Sequence, residues 1–133
     1  MNPRMTKPIL VVDDEPILLS IVKSILTKQS YVVYTALSAK EAHGILSESE
    51  IAVVISDYKM PGDNGIDFLE RVRMEYPGII RIIMTGYAEV HVAIDAINRA
   101  GVFRFLEKPW DQDEFYTSVQ TAVEAHGSSR FPG

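Results

Sequence analysis

The chain has 133 residues, 47% hydrophobic and 23% charged, and its 13 Lys and Arg against 18 Asp and Glu give a formal net charge of −5. This length closes one hydrophobic core rather than two, and the composition excludes a disordered or fibrous chain. The acidic balance, with no clustered Lys and Arg, argues against direct nucleic-acid binding, and the absence of cysteine excludes disulfides and thiolate metal sites.

Residues 1–6 read as an N-terminal arm. The opening MNPRMTKP lacks the apolar region of a secretory signal, and no apolar run approaches the ~20 residues of a membrane span, so a cytoplasmic protein without membrane contact is expected. Ile9 to Val12 is a short continuous apolar run, the pattern of a strand covered on both faces. A helix follows, opened by Pro16 at a position where no amide partner is needed, with Ile17, Leu18, Ile21, Val22, Ile25 and Leu26 at one-face spacing. Tyr31 to Tyr34 is a weaker strand suited to a sheet edge, and Ala36 to Leu46 is a shorter helix.

Ile51 to Ile55 and Ile79 to Met84 are two further apolar, β-branched strands. Ile66, Leu69 and Val72 mark the helix between them, and Val90, Ala93, Ile94 and Ile97 mark the next. Val102 to Leu106 is a second edge-like strand, and Phe115, Val119 and Val123 define the last helix. Residues 127–133, GSSRFPG, read as a tail or the start of a linker, leaving one domain over 7–126. Five β-α units in succession pair only in parallel through right-handed crossovers, giving an α/β sheet between two helical layers.

In such a sheet, chemistry collects at the carboxyl ends of the strands, beside the point where strand order reverses. Asp13 and Asp14 follow the first strand, Asp57 the third, Thr85 the fourth and Lys108 the fifth. If the first and third strands are neighbours, three carboxylates converge. Alone, Asp13-Asp14-Glu15 also reads as a solvated helix start, and Asp57 as a turn residue before Met60-Pro61-Gly62. Together the acids suit Mg²⁺, which takes oxygen ligands and leaves room for a phosphate oxygen. Asp57 then suits a nucleophile at phosphorus, with Lys108 and Thr85 placed for the phosphoryl oxygens. His43, His91 and His126 are too scattered for a metal site and read as surface residues.

With Asp13-Asp14, SDYKMPGDNG around Asp57, MTGYAE around Thr85 and Lys108-Pro109 in order, the chain resembles a receiver domain of two-component response regulators. That resemblance implies a doubly wound, flavodoxin-like sheet of five parallel strands in order 2-1-3-4-5 flanked by five helices. It implies that Asp57 accepts phosphate from a histidine kinase or histidine phosphotransfer protein, with Mg²⁺ held by Asp13, Asp14, Asp57 and the Lys59 main-chain carbonyl. Lys108 and Thr85 would stabilise the phosphoryl group, Thr85 and Phe105 would act as the switch, and Lys59 and Tyr87 would tune phosphate lifetime. Kinase docking would fall on Ile17, Leu18, Ile21, Pro109 and Trp110, while the surface of the fourth helix, fifth strand and fifth helix would control an attached or separate output.

Trp110 reads equally as a partner contact or as cover for the last helix. No Lys or Arg occurs in Asp111 to Gly127, which disfavours a charge-paired dimer through the last helix. The segments Thr85 to Glu89 and Lys108 to Asp111 look like receivers joined to HD-type cyclic-di-GMP phosphodiesterase or histidine-kinase-linked outputs. The rival readings are an interaction module that no longer takes phosphate, a small-molecule aspartyl phosphatase and an FMN carrier. The phosphatase usually needs D-x-D after the first strand and a cap; the FMN carrier needs a phosphate loop that does not follow Val12. Turnover of a separate substrate is not expected.

Overall fold

Parallel pairing decides where the apolar runs become strands. In the computed structural model, which describes residues 3–86 and 90–127, β1 (Ile9–Val12) lies between β2 (Val33–Ala36) and β3 (Val53–Asp57). With β4 (Ile80–Thr85) and β5 (Arg104–Glu107) they form one parallel sheet in the order β2-β1-β3-β4-β5. The two weaker apolar runs are indeed the edges. The strand order reverses between β1 and β3, and the register sets Val12 opposite Ser56, Asp57 opposite Met84, and Thr85 opposite Glu107.

The strands sit up to two residues later than the apolar runs imply. Tyr31 is buried, but its amide bonds to the Leu26 carbonyl at 3.2 Å, finishing the preceding helix, so β2 starts only at Val33. Ladder bonds carry β3 past its apolar run through Ser56 and Asp57, because pairing with β4 and not hydrophobicity ends it. Ala36 belongs to β2, and the next helix starts after Ser38, whose Oγ accepts the Glu41 amide at 3.1 Å.

Among the described residues six helices flank the sheet: α1 (Pro3–Thr6), α2 (Pro16–Lys28), α3 (Ala39–Glu48), α4 (Gly65–Glu75), α5 (Val90–Asp95) and α6 (Gln112–Ala125). The sixth, α1, is a single turn with no hydrophobic period to announce it. Arg4 in this turn lies over the Tyr31 ring and donates to the Gln29 carbonyl at 2.9 Å, while Lys7 Nζ caps the end of α6 by donating to the His126 carbonyl at 2.8 Å. After Asp95 the chain widens into a π-helical turn, Ala96–Ala100.

Alternation along the strands divides the core into two layers. Leu10, Val12, Val54 and Ile83 face α3, α4 and the π turn; Ile9, Val11, Val53, Ile55, Ile82 and Met84 face α2 and α6. Two helices are rotated from the sequence expectation. On α2 the buried stripe is Leu19, Val22 and Leu26, and Ile17 and Ile21 are 78% and 49% exposed. On α5 and its π turn Val92, Ala96 and Ala100 are buried, while Ile94 and Ile97 face outward. Small residues allow close approach to α4, and the π turn adds about one residue to the local period, so an α-helical stripe misreads the face.

His43 is half-buried, its ring set edge-on to Phe68 with centroids 5.1 Å apart, and His126 is half-buried as well; of the three histidines only His91 is exposed. Among the described residues, no helix is long and apolar enough to cross a membrane.

The register of α2 gives a test. Leu26→Ala, at a fully buried position, is expected to cost about 2–5 kcal/mol in denaturant unfolding, whereas Ile17→Ala stays within about 0.5 kcal/mol.

Candidate functional site

The first strand ends in an acid because the chain turns there into a helix. Asp13 is fully buried, and its Oδ1 accepts the Glu15 amide at 2.9 Å, holding the bend that lets Pro16 open α2. Asp14, next in sequence, is exposed. Asp57, the last residue of β3, is buried beside them because β1 and β3 are neighbours. Single carboxylate oxygens of Asp13, Asp14 and Asp57 all fall within 4.8 Å of one another.

Lys108 enters this cluster from the end of β5. Its Nζ lies 3.0 Å from Asp13 Oδ2 and 3.1 Å from Asp57 Oδ1, while its amide donates to the Thr85 carbonyl at 2.7 Å. The Lys108–Pro109 peptide bond is cis. Burial pushes the Asp57 carboxyl above its ordinary value; Lys108 opposes the shift, and Asp13 and Asp14 reinforce it by repulsion. Burial pulls the other way on Lys108, but its bonds and attraction to Asp13 and Asp57 leave its pKa raised. One ammonium thus offsets part of a triple negative charge.

Thr85, at the end of β4, is fully buried, and its Oγ1 makes no hydrogen bond among the described residues. A buried hydroxyl without a partner costs stability, so an acceptor that arrives at the site would be bound with a corresponding gain. Phe105, on the edge strand, is part-buried against the core layer that contains Ile83 and Val92. Lys59 is exposed on the loop after β3, two residues from Asp57. Tyr87 lies outside the described residues, as do Ala88, Glu89, the side chain of Val90 and residues 128–133.

Trp110 is half-buried and stacks on Phe115 of α6 at 5.1 Å and 23°, so it covers the start of that helix. It also lines, with Glu15, Leu18, Lys108 and Pro109, a groove of about 390 Å³ that shares Lys108 with the carboxylate cluster. Of the apolar residues expected at the docking surface, Ile17, Ile21 and Pro109 are exposed, and Leu18 and Trp110 are half-buried. The structure brings Asp13, Asp14, Asp57 and Lys108 into contact and sets Thr85 on the adjoining strand; Phe105 and Lys59 lie at the periphery.

Sequence reasoning passed over Gly65. Its amide donates to the Tyr58 carbonyl at 2.8 Å, and a Cβ there would press on the Asp57 carbonyl and stand 2.9 Å from the Tyr58 Cα. The first residue of α4 thus sits directly on the Asp57–Tyr58 peptide, closing the loop that follows the acid. Asn64, which caps α4 by accepting the Asp67 amide at 2.9 Å, makes Asn64-Gly65 the sequence signal that was available.

With this geometry, the chain belongs to the response regulator receiver domain family, whose sequence profile matches residues 9–120. It is 37% identical over 119 residues to the hydrogenase transcriptional regulatory protein HoxA of Cupriavidus necator, covering 90% of this chain and 24% of that protein. Against the transcriptional regulatory protein GlrR of Escherichia coli the figures are 35% over 116 residues, 87% and 26%. The chain therefore spans about a quarter of the length of these curated relatives. Among solved structures, the signal receiver domain of an HD domain-containing protein from Pseudomonas fluorescens Pf-5 superposes with a TM-score of 0.90 at 31% identity, covering 98% of this chain and 94% of that one. NtrX from Brucella abortus, solved with ADP, gives a TM-score of 0.86 at 26% identity, covering 92% and 28%.

Two outcomes test the site. Because folding raises the Asp57 pKa above 3.8, the ionised carboxylate opposes folding, and its penalty grows as pH rises from that value through the folded pKa. Asp57→Asn is expected to melt higher than wild type at pH 7, with the gain vanishing as the pH falls below about 4. Gly65→Ala is expected to cost about 1–3 kcal/mol in denaturant unfolding, because backbone rather than a flexible side chain must give way.

Proposed function

We propose that residues 7–126 work as a phosphorylation-activated receiver in which Asp57 is the phosphoacceptor. The observation that carries this reading is the meeting of a buried Asp57, the Lys108 ammonium and an unpartnered Thr85 hydroxyl at the ends of three adjacent strands. An Asp57 carboxylate oxygen attacks the phosphorus of a partner's phosphohistidine; the O–P bond forms as the P–N bond breaks, and its electron pair returns to the imidazole. Lys108 meets the charge on one phosphoryl oxygen. Thr85 donates its hydroxyl to another, giving an acceptor to a group that has none among the described residues.

The all-oxygen donor set fits a hard divalent ion, with Asp13, Asp14, Asp57 and the Lys59 carbonyl as the residues that would hold Mg²⁺. Bound there, Mg²⁺ supplies positive charge against both the carboxylates and the incoming phosphoryl oxygens. Residues 1–6 are then an arm, and 127–133 a tail or the start of a linker.

Movement of Thr85 toward the phosphoryl group frees space into which Phe105 turns, reshaping the surface of α5, β5 and α6. Lys59 and Tyr87 shield the acyl phosphate from water and lengthen its life. The exposed Ile17 and Ile21 with the Leu18, Pro109 and Trp110 groove suit a histidine kinase or phosphotransfer protein, because this groove shares Lys108 with the acceptor site. A cytoplasmic setting and no direct nucleic-acid contact by this domain go with that reading. Likeness to the receiver of an HD domain-containing protein supports an HD-type output; the names of HoxA and GlrR support a transcriptional one.

Intact mass spectrometry after incubation with phosphoramidate and Mg²⁺ is expected to show one phosphoryl adduct, lost in Asp57→Ala and without Mg²⁺. An unmodified wild type that also fails to bind beryllofluoride would identify an interaction module that takes no phosphate.

A further inference from the structure

An arginine lies inside the run of apolar residues that makes β4. Arg81 is 1% exposed, and every acceptor it reaches among the described residues is a main-chain carbonyl: Ala100 at 2.7 Å, Ile79 at 2.8 Å, and Pro77 and Gly101 at 3.4 Å. A guanidinium without a carboxylate is an expensive group to bury. Its place explains it. The carbonyls at a helix end have no partners within the helix, and that end carries partial negative charge. Arg81 therefore bolts the carboxyl end of the π turn to the central sheet.

Two further arginines tighten the same end. Arg73 donates to the Arg99 carbonyl at 3.4 Å, and the Arg99 side chain reaches Asp67 at 2.6 Å and Glu70 at 3.1 Å, both on α4. Gly101, at φ +59, passes between guanidinium groups, where a Cβ would stand 3.1 Å from Arg73 Cζ and 3.3 Å from Arg81 Nη2. The amino end of the helix is held differently. Val92 is the one buried side chain described in α5, whereas the π turn buries Ala96 and Ala100. Arg81 and Thr85 are four residues apart on one strand and so share a face, with Thr85 at the end nearer in sequence to Val90.

We infer that Arg81 is the pivot of a two-part switch helix: the π turn Ala96–Ala100 stays pinned to β4 and α4, and Val90–Asp95 swings about it when Asp57 is phosphorylated. The inference rests on the receiver reading and gives its signal a mechanical joint. The π turn carries i→i+5 bonds where the preceding residues are α-helical, so the hydrogen-bond pattern changes at Asp95–Ala96, where the two parts meet. Ile94 and Ile97, 58% and 57% exposed, lie on opposite sides of the joint, so the swing changes the spacing of these two exposed apolar side chains.

Amide hydrogen exchange of the 133-residue chain, with and without beryllofluoride and Mg²⁺, tests the pivot. In wild type the change is expected at 90–95, with 96–103 altered by less than about twofold. Arg81→Lys keeps the charge but cannot span four carbonyls, and is expected to speed exchange at 96–103 by about tenfold or more while leaving 57–64 unchanged. A wild-type response as large at 96–103 as at 90–95 would overturn the pivot, as would equal protection of 96–103 in wild type and Arg81→Lys. Phosphoramidate adducts separate the two levels: their absence from wild type defeats the receiver reading itself, and their presence with either of those exchange results defeats the pivot alone.

Discussion

Mutual repulsion of three carboxylates at one edge of a parallel sheet is the constraint around which this molecule is arranged. Asp13, Asp14 and Asp57 are brought together by strand order, and a single ammonium, that of Lys108, bridges the two buried members. Such a cluster destabilises the resting fold in proportion to its burial. A site for a cation would gain from the same imbalance, because the three carboxylates already lie together.

The surrounding backbone meets that constraint with main-chain bonds. The Asp13 carboxylate is tied to the Glu15 amide, the Tyr58 amide to the Met84 carbonyl at 2.8 Å, and the Lys108 amide to the Thr85 carbonyl. The first closes the turn after β1, and the other two each join the end of one strand to the loop of a neighbour, which fixes the backbone from which the acids, the hydroxyl and the ammonium project. Gly65 completes the frame by bringing α4 against the Asp57–Tyr58 peptide. The layer beneath is close-packed aliphatic sheet, which resists small displacements and favours discrete alternatives over gradual deformation.

Polar residues elsewhere divide the chain into firm and yielding parts. The arginines at the far end of β4 and α4 join strand, helix and π turn through carbonyls and carboxylates, and hydrogen bonds to Glu70 and Asp67 hold Arg99 firmly protonated. The opposite end of the same helix begins at Val90, soon after Thr85 in the sequence, and the Thr85 hydroxyl has no acceptor among the described residues. An orphan donor at one end and saturated guanidinium groups at the other make the helix asymmetric along its length.

The carboxyl-end residues were legible in the sequence because parallel β-α repetition places strand ends at one rim whatever the details of packing; Asp13, Asp14, Asp57, Thr85 and Lys108 follow from counting apolar runs. Strand order was open to residue reasoning alone and came from motif likeness, since hydrophobicity does not say which strands are neighbours. Helix faces were ambiguous where apolar residues occupy more than one side: Ile94 and Ile97 fit an amphipathic stripe and yet face outward, and on α2 the same spacing took in Ile17 and Ile21, whose exposure only the docking expectation implied. Only the tertiary structure chose between the stripes, because burial depends on which side meets the sheet and on the π turn that shifts the local period. It alone also revealed Arg81 and Gly65, whose roles are contacts with distant backbone: one residue inside an apolar run and one at a helix start carry no local sign of the carbonyls they meet across the fold.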